Sequence, residues 1–527
     1  MLKTSGSLLV AGTTSDAGKS VLTAGICRWL ARQGVRVAPF KAQNMSNNSM
    51  VAPDGAEIGR AQAMQAAAAG IPAEAAMNPV LLKPGSDLRS QLVVLGRAVG
   101  EASALGYWGA GEGRARLLAT VLEAYDDLRS RFDVVICEGA GSPAEINLRR
   151  NDIVNMGLAR ARGLPVILVG DIDRGGVFAA LYGTLALLDA ADQSHLGGFV
   201  INKFRGHREL LAPALTQVKA LTGRPVLGVV PYLNGIWIDA EDAVAAERPY
   251  AAQAPAGAGE GRLRVGEGRL RVGEILRVAV IRLPRISNFT DIDALALEPG
   301  VAVRFVSTPA ETAEADLVVV PGTRATVADL GWLRRQGLDV ALERRAAAGR
   351  PILAICGGYQ MLGTDIDDDV ESRSGAVAGL RLLPVATRFA AGKTLGRPAG
   401  YGPSAPVVGY EIHHGQVEVR GGEPWFTSEP GGRGTRLDGC RSGAVAGTLW
   451  HGILENDEFR RAYLIEVARL AGRDFIPAPD TSFAAARQAQ FDTLADAVEQ
   501  HLDTGALLRL IEHGPTPGLP TLRPGLL

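Results

Sequence analysis

Apolar residues in the first half of the chain fall into short continuous runs, separated by stretches in which they recur every three or four positions. The runs Ser7–Gly12, Val35–Phe40, Asp133–Cys137, Pro165–Gly170, Gly197–Asn202 and Val226–Val230 read as buried strands. Ser20–Arg32 and Ala115–Arg131 read as helices between them. Strands that alternate with helices pair in parallel through right-handed crossovers, which predicts a doubly wound α/β sheet. A second alternating series follows, with strands at Arg277–Leu283, Val301–Val306, Asp316–Pro321, Pro351–Cys356 and Ala444–Trp450. Residues 365–445 are Gly-rich and less regular, and predict antiparallel strands mixed with loops. Ser482–Glu512 carries Phe491, Leu494, Ala497, Leu502, Leu507 and Leu508 at helical spacing, while the proline-rich Pro515–Leu527 is expected to fray.

Between the two series the pattern breaks. Residues 243–275 are rich in Ala, Gly and Pro and contain GEGRLRV twice, at Gly259–Val265 and Gly266–Val272. One Leu and one Val per repeat are too few for a coiled-coil seam, so the segment reads as a linker. The expected organisation is a first α/β domain over 1–242, a linker over 243–275, a second α/β domain over 276–470, and a helical segment with a Pro-rich tail over 471–527. Length alone, 527 residues, would allow three to four domains; the patterning reduces that to two large ones.

Charge and cysteine usage narrow the function classes. With 55 basic and 56 acidic residues the formal net charge is −1, which gives no whole-chain field to attract nucleic acid or an anionic membrane. Neither partner is expected. Four cysteines without regular spacing argue against a disulfide scaffold and fit a reducing cytosol. No run of eighteen apolar residues and no basic-then-apolar leader is present, so a cytoplasmic location is expected.

Two constellations carry chemistry. Gly12-Thr-Thr-Ser-Asp-Ala-Gly18-Lys19-Ser20 joins a predicted strand to a predicted helix, the context of a phosphate-binding loop. Gly12, Thr13, Asp16, Gly18, Lys19 and Ser20 are expected to bind ATP, with Lys19 on the outer phosphates and the Ser20 hydroxyl on Mg²⁺. Five residues separate the two glycines where four are usual, and that variant resembles the loop of dethiobiotin synthetase and its relatives, which phosphorylate carboxylates. Other candidates sit at the ends of later strands, where ligands bind in open α/β sheets. Lys41, with Gln43 and Asn44, is expected on the substrate; Glu138 is placed to hold Mg²⁺; Asp171 and Asp173 are further metal or substrate candidates. Asn202 resembles an adenine-contacting position. The polar run continues through Asn47 and Asn48, which suits a substrate rich in carboxylates and amides.

The second constellation is Pro351-Ile-Leu-Ala-Ile-Cys356-Gly-Gly-Tyr-Gln-Met-Leu-Gly363, a strand running through Cys and two glycines into a helix. That is a nucleophile elbow, in which the helix N-terminus favours the thiolate. The Gly357 N–H, with a second donor from the Pro321–Arg324 loop at Gly322, would form the oxyanion hole. The base is His451, directly after a predicted strand. The order Cys then His resembles class I glutamine amidotransferases, where Cys attacks the glutamine amide and His moves the proton. Many of those enzymes orient the His with a Glu two residues later, where this chain has Ile453. The orienting carboxylate is therefore absent or supplied elsewhere, and weak glutaminase activity is expected. His413 and His414 are competing bases assigned a structural or interface role, and Cys27, Cys137 and Cys440 read as inert.

A carboxylate-activating ATPase joined to a glutaminase is a glutamine-dependent amidoligase. Lys41–Ser49, Asn78–Gln91, Pro284–Asp291 and Gly409–His413 make the resemblance specific: the chain resembles the cobyric acid synthases of cobalamin biosynthesis from its first strand to about residue 510. That resemblance implies a P-loop, dethiobiotin synthetase-like sheet followed by a class I glutamine amidotransferase-like domain. It also implies ATP- and glutamine-dependent, Mg²⁺-requiring amidation of four peripheral carboxylates (b, d, e and g) of adenosylcobyrinic acid a,c-diamide. The alternatives are a cobyrinic acid a,c-diamide synthase-type amidoligase and, from another class, a partitioning-type switch ATPase with an inactive glutaminase half. Oligomeric state is left open.

Overall fold

A computed structural model of the chain describes residues 3–85, 89–103, 112–237, 264–265, 268–269, 275–428 and 436–522. Residues 86–88 of the Asn78–Gln91 motif and most of the expected linker lie outside the described residues. Within that linker, Arg264–Val265 pairs with Gly268–Arg269 as a two-stranded antiparallel ribbon. The described residues of 1–45, 52–239 and 487–527 form one compact unit, and those of 46–51 and 240–486 form a second.

The first unit is built on six strands: β1 (Gly6–Gly12), β2 (Val37–Phe40), β3 (Val134–Glu138), β4 (Val166–Asp171), β5 (Leu196–Phe204) and β6 (Val226–Pro231). They run parallel in the order β2-β3-β1-β4-β5-β6. Each strand is apolar on both faces because helices cover both, which is why the sequence shows unbroken apolar runs and no alternation. Leu8, Val10, Ile136, Ile167 and Val200 lie fully buried in this core. Strand order reverses at β1, with β2 and β3 on one side and β4 to β6 on the other, and the Gly12–Ser20 loop opens at that switch point.

The expected single C-terminal helix is two, Phe483–His501 and Thr504–His513. The break has a local cause: the Asp503 side chain caps the second helix by accepting from Ala506 N at 2.8 Å. The first helix braces Lys19–Arg32 through Arg28–Asp492 at 2.9 Å and Arg32–Asp496 at 2.6 Å. In the second, Leu507, Leu510 and Ile511 are buried while Leu508 is only partly so. Of the tail expected to fray, residues 515–522 are described, and two of them are held. Leu522 exchanges two 2.8 Å hydrogen bonds with the Gln193 side chain, and the Pro520 carbonyl accepts from Arg224. Arg224 is fully buried and takes only carbonyl partners, so a pinned tail supplies an acceptor that water cannot.

The second unit has its own sheet: β7 (Leu276–Ile281), β8 (Val301–Val306), β9 (Leu317–Val320), β10 (Ile352–Ile355), β11 (Cys440–Ser442) and β12 (Val445–Thr448). The order is β8-β7-β9-β10-β12-β11, parallel except for the β11–β12 hairpin. The irregular region folds into two four-stranded sheets. One of these contains Glu411–Val419, which pairs antiparallel with Val385–Gly396. Among the described residues no helix is long and apolar enough to cross a membrane.

Candidate active sites

In the first unit the loop after β1 curls tightly at Gly18, whose φ of +94° suits glycine, and the Asn202 side chain fills the space a Cβ would take. The Asn202 amide donates to Ala17 O at 2.9 Å, so this residue supports the loop directly. Lys19 Nζ is buried among loop carbonyls, donating to Thr14 O at 2.8 Å, Ser15 O at 3.1 Å and Gly141 O at 3.3 Å. Thr13 N donates to Val169 O at 2.9 Å, which ties the loop to β4. Asp16 sits at the outer edge, paired with Arg174 at 3.1 Å.

Glu138, at the end of β3, is the centre of this site and fully buried. Its Oε1 accepts from Ser20 Oγ at 2.7 Å and Lys41 Nζ at 3.0 Å, and its Oε2 accepts from Gln65 Nε2. Burial opposes its ionisation, but the Lys41 ammonium and the Ser20 and Gln65 hydrogen bonds outweigh it and hold the carboxyl below the usual range. Gln65, on the Arg60–Ala68 helix, was not anticipated from sequence; its Oε1 is buried with no partner. The Ser20 hydroxyl and the Glu138 carboxylate are hard oxygen donors that fit Mg²⁺, an ion commonly held by one or two carboxylates plus phosphate oxygens and water.

Gln43 and Asn44 are buried beside this site, Asn44 Nδ2 donating to Gln62 Oε1 at 2.9 Å. Asp171 and Asp173 are engaged by cations: Asp171 with Lys203 at 2.7 Å, Asp173 with Arg205 at 2.9 Å. The expected polar run also divides. Asn48 belongs to the second unit, where its Oδ1 accepts from Asn288 N at 2.8 Å.

In the second unit Cys356 follows β10 with φ +51° and ψ −110°, a conformation costly for a non-glycine residue and held by its surroundings. The two glycines behind it are sterically required: a Cβ on Gly358 would lie 2.1 Å from Val320 O, and one on Gly357 2.7 Å from Thr323 Cγ2. Gly322 lies against the His451 ring, 3.0 Å from Cε1 at the position of a Cβ. The elbow, the Gly322–Thr323 loop and His451 thus converge.

His451 is buried, and its Nδ1–H donates to Asp291 Oδ2 at 2.7 Å. Asp291 Oδ1 accepts from Gly452 N at 2.8 Å, which fixes the carboxylate. The orienting carboxylate that the sequence left absent or elsewhere is therefore 160 residues upstream of the histidine. Burial disfavours the imidazolium, but the Asp291 carboxylate and the Cys356 sulfur, both hydrogen-bonded to the ring, outweigh it and raise the His451 pKa to about 10. Tyr410 stacks on the ring at 5.2 Å and 21°. Cys356 Sγ lies 3.9 Å from Ile412 O, so the Glu411–Val419 strand forms one wall beside it.

The competing histidines are occupied: His413 Nε2 bonds Glu411 Oε2 at 3.2 Å, and His414 Nδ1 bonds Ala390 O at 3.1 Å. Burial pushes the thiols of Cys27, Cys137 and Cys440 up, away from easy ionisation. Among the described residues no three His, Cys, Asp or Glu side chains form a metal cluster, so a cation near Glu138 would draw on Ser20, phosphate and water.

Comparison with known proteins agrees with this division. Residues 8–243 match the CobQ/CobB/MinD/ParA nucleotide-binding domain family, and residues 277–459 the CobB/CobQ-like glutamine amidotransferase domain family. The first family's description also covers MinD and ParA and does not discriminate by itself. Full-length relatives do. A protein of Frankia casuarinae named cobyric acid synthase is 63% identical over 99% of this chain and 99% of its own length. Proteins of the same name from Streptomyces avermitilis and Streptomyces coelicolor are each 60% identical over 99% of both chains.

Proposed function

The chain belongs to the cobyric acid synthase family, ATP-dependent, glutamine-using amidoligases of cobalamin biosynthesis, and on that premise we propose which of its residues carry each step. The substrate is adenosylcobyrinic acid a,c-diamide, and four of its peripheral carboxylates, b, d, e and g, become amides. A carboxylate is a poor electrophile, so each is first activated by phosphoryl transfer from ATP. Lys19 offsets charge on the transferred phosphoryl group, and the N–H groups where the loop enters the Lys19–Arg32 helix cradle the phosphates. Mg²⁺, held by Ser20 and Glu138, would neutralise phosphate charge. Lys41, ion-paired with Glu138 at 3.0 Å, faces the carboxylate to be activated, and Gln43 and Asn44 complete its polar surround.

Ammonia comes from the second unit. Cys356 Sγ attacks the glutamine amide carbon, and the oxyanion is met by backbone N–H groups of Gly357 and the Gly322 loop. His451 gives its proton to the departing ammonia and then activates the water that hydrolyses the thioester. Asp291 holds the ring in the tautomer with Nδ1–H toward the carboxylate, leaving Nε2 for the sulfur side. With Asp291 in that role the glutaminase needs no Glu at position 453. A nucleophilic thiol and three further free cysteines suit a reducing, cytoplasmic setting.

The observation that carries this reading is the pairing, in one chain, of the Cys356–His451–Asp291 arrangement with the Lys19–Ser20–Glu138 site. Two variants test it. Cys356→Ala should abolish glutamine-supported amidation and retain ammonia-supported amidation, whereas loss of both would assign Cys356 a structural role. Lys19→Ala should abolish amidation from either nitrogen source; retained ammonia-supported activity would overturn the phosphate-loop assignment.

A further inference from the structure

Six residues, Ser46–Val51, belong to the second unit although the chain on both sides of them belongs to the first. They make two independent contacts with the glutaminase machinery. The first is a clasp with Asn288. Asn48 Oδ1 accepts from Asn288 N at 2.8 Å, and Ser49 N donates to Asn288 Oδ1 at 2.9 Å. Asn288 in turn begins the single turn Phe289–Ile292 that carries Asp291, its carbonyl accepting from Asp291 N at 3.1 Å. The second contact is apolar. Val51, fully buried, packs with Tyr410 and Ile412. Tyr410 stacks on His451, and the Ile412 carbonyl faces Cys356 Sγ. The six residues therefore touch the supports of all three groups in the triad.

The segment has little slack. Asn48 N donates to Ser46 Oγ at 3.0 Å, a local turn that stiffens it. Asn44, anchored to Gln62 beside the nucleotide site, is four residues from Asn48, a span of at most about 14 Å. Asn44 and Asn48 are both buried, with Met45 exposed between them, so a shift of Lys41–Asn44 has only four residues of chain over which to dissipate.

We propose that Ser46–Val51 is a coupling strap: it positions Asp291, His451 and the strand beside Cys356, and so makes glutamine hydrolysis depend on the state of the Lys41–Asn44 loop at the site of carboxylate activation. Asn48, Asn288 and Val51 are positioning residues in this scheme. The inference rests on the amidoligase reading above and adds a route by which one half of the reaction reports to the other. Its consequence is economy of glutamine: ammonia is released when an activated carboxylate is there to receive it.

The test compares glutamine hydrolysis and amidation in wild type, Asn288→Gly, Asn48→Ala and Asn48→Asp, with and without ATP, Mg²⁺ and adenosylcobyrinic acid a,c-diamide. Gly tolerates the +51° φ of Asn288 while deleting the acceptor of the clasp. Wild type should hydrolyse glutamine faster when ATP and corrinoid are present. Asn288→Gly and Asn48→Ala should lose that stimulation and about 10-fold of glutamine-supported amidation, a typical size for coupling between sites. Ammonia-supported amidation should stay unchanged, and Asn48→Asp, which keeps the acceptor, should restore the stimulation. Wild-type stimulation in Asn288→Gly overturns the strap, as does equal loss of both nitrogen sources, which would mark the clasp as fold support alone. If Asn288→Gly does not fold, the Asn48 pair decides by the same readout. Absence of wild-type amidation overturns the function and the strap together, whereas normal wild-type amidation with unaltered variants overturns the strap alone.

Discussion

At the scale of single residues, the proposed nucleophile and base, Cys356 and His451, were legible as candidates because each sits where strand chemistry puts it, directly after an apolar run. Cys356 follows β10 and His451 lies just beyond β12. Asp291 was not legible in that role. Its motif, Pro284–Asp291, stands out in the sequence, but no spacing rule ties it to a histidine 160 residues later; only the fold brings them to 2.7 Å. Asp291→Asn should keep the shape and lose the correct tautomer, lowering glutamine hydrolysis by ~10²–10⁴-fold while leaving ammonia-supported amidation intact. A stability effect goes with it. Folding raises the His451 pKa from 6.5 to about 10, so the charged pair stabilises the fold fully below pH 6.5 and its contribution fades as pH rises through about 10. Denaturation curves of wild type and Asp291→Asn should therefore differ most in mildly acidic buffer and converge toward pH 10; a gap that widens with pH would contradict the pairing.

At the scale of elements, parallel strands announce themselves as unbroken apolar runs, and every strand expected for the two main sheets is present with ends within about two residues, the usual uncertainty of strand boundaries. The break at Leu502–Asp503 was missed for a physical reason. The apolar periodicity carries across it, while the stop is written in one polar side chain that caps the next helix. The fraying expected of Pro515–Leu527 does not hold for Pro520 and Leu522, whose partners, Arg224 and Gln193, are distant in sequence, while residues 523–527 lie outside the described residues. Leu507 is fully buried where the last helix meets the first unit's core, so Leu507→Ala should destabilise that unit by ~2–5 kcal/mol. Chemical denaturation monitored with and without ATP would measure it, and a change within the range of a surface substitution would contradict the packing. At the elbow, Gly358→Ala must force its Cβ away from Val320 O, 2.1 Å off. It should reduce glutamine-supported amidation and spare the ammonia reaction.

At the scale of the whole molecule, near-zero net charge accords with the proposal that a polyanionic substrate is met by cations concentrated at strand ends, Lys19 and Lys41. Both are buried; Lys19 lies at the switch point of the first sheet, and Lys41 reaches Glu138 from the end of the edge strand β2. The division into a nucleotide-binding half and a glutaminase half was readable from motif order. The excursion of Ser46–Val51 into the second unit was not, since Asn-rich polar runs look alike whether they face a substrate or a neighbouring loop. The account as a whole turns on nitrogen leaving glutamine at Cys356 and arriving on a carboxylate activated at Lys19. The most direct measurement follows glutamine labelled with ¹⁵N in its side-chain amide, incubated with enzyme, ATP, Mg²⁺ and adenosylcobyrinic acid a,c-diamide, by mass spectrometry of the corrinoid. Four successive ¹⁵N incorporations, all dependent on ATP and all lost in Cys356→Ala, are the predicted result. ATP consumed over an unlabelled corrinoid would contradict it.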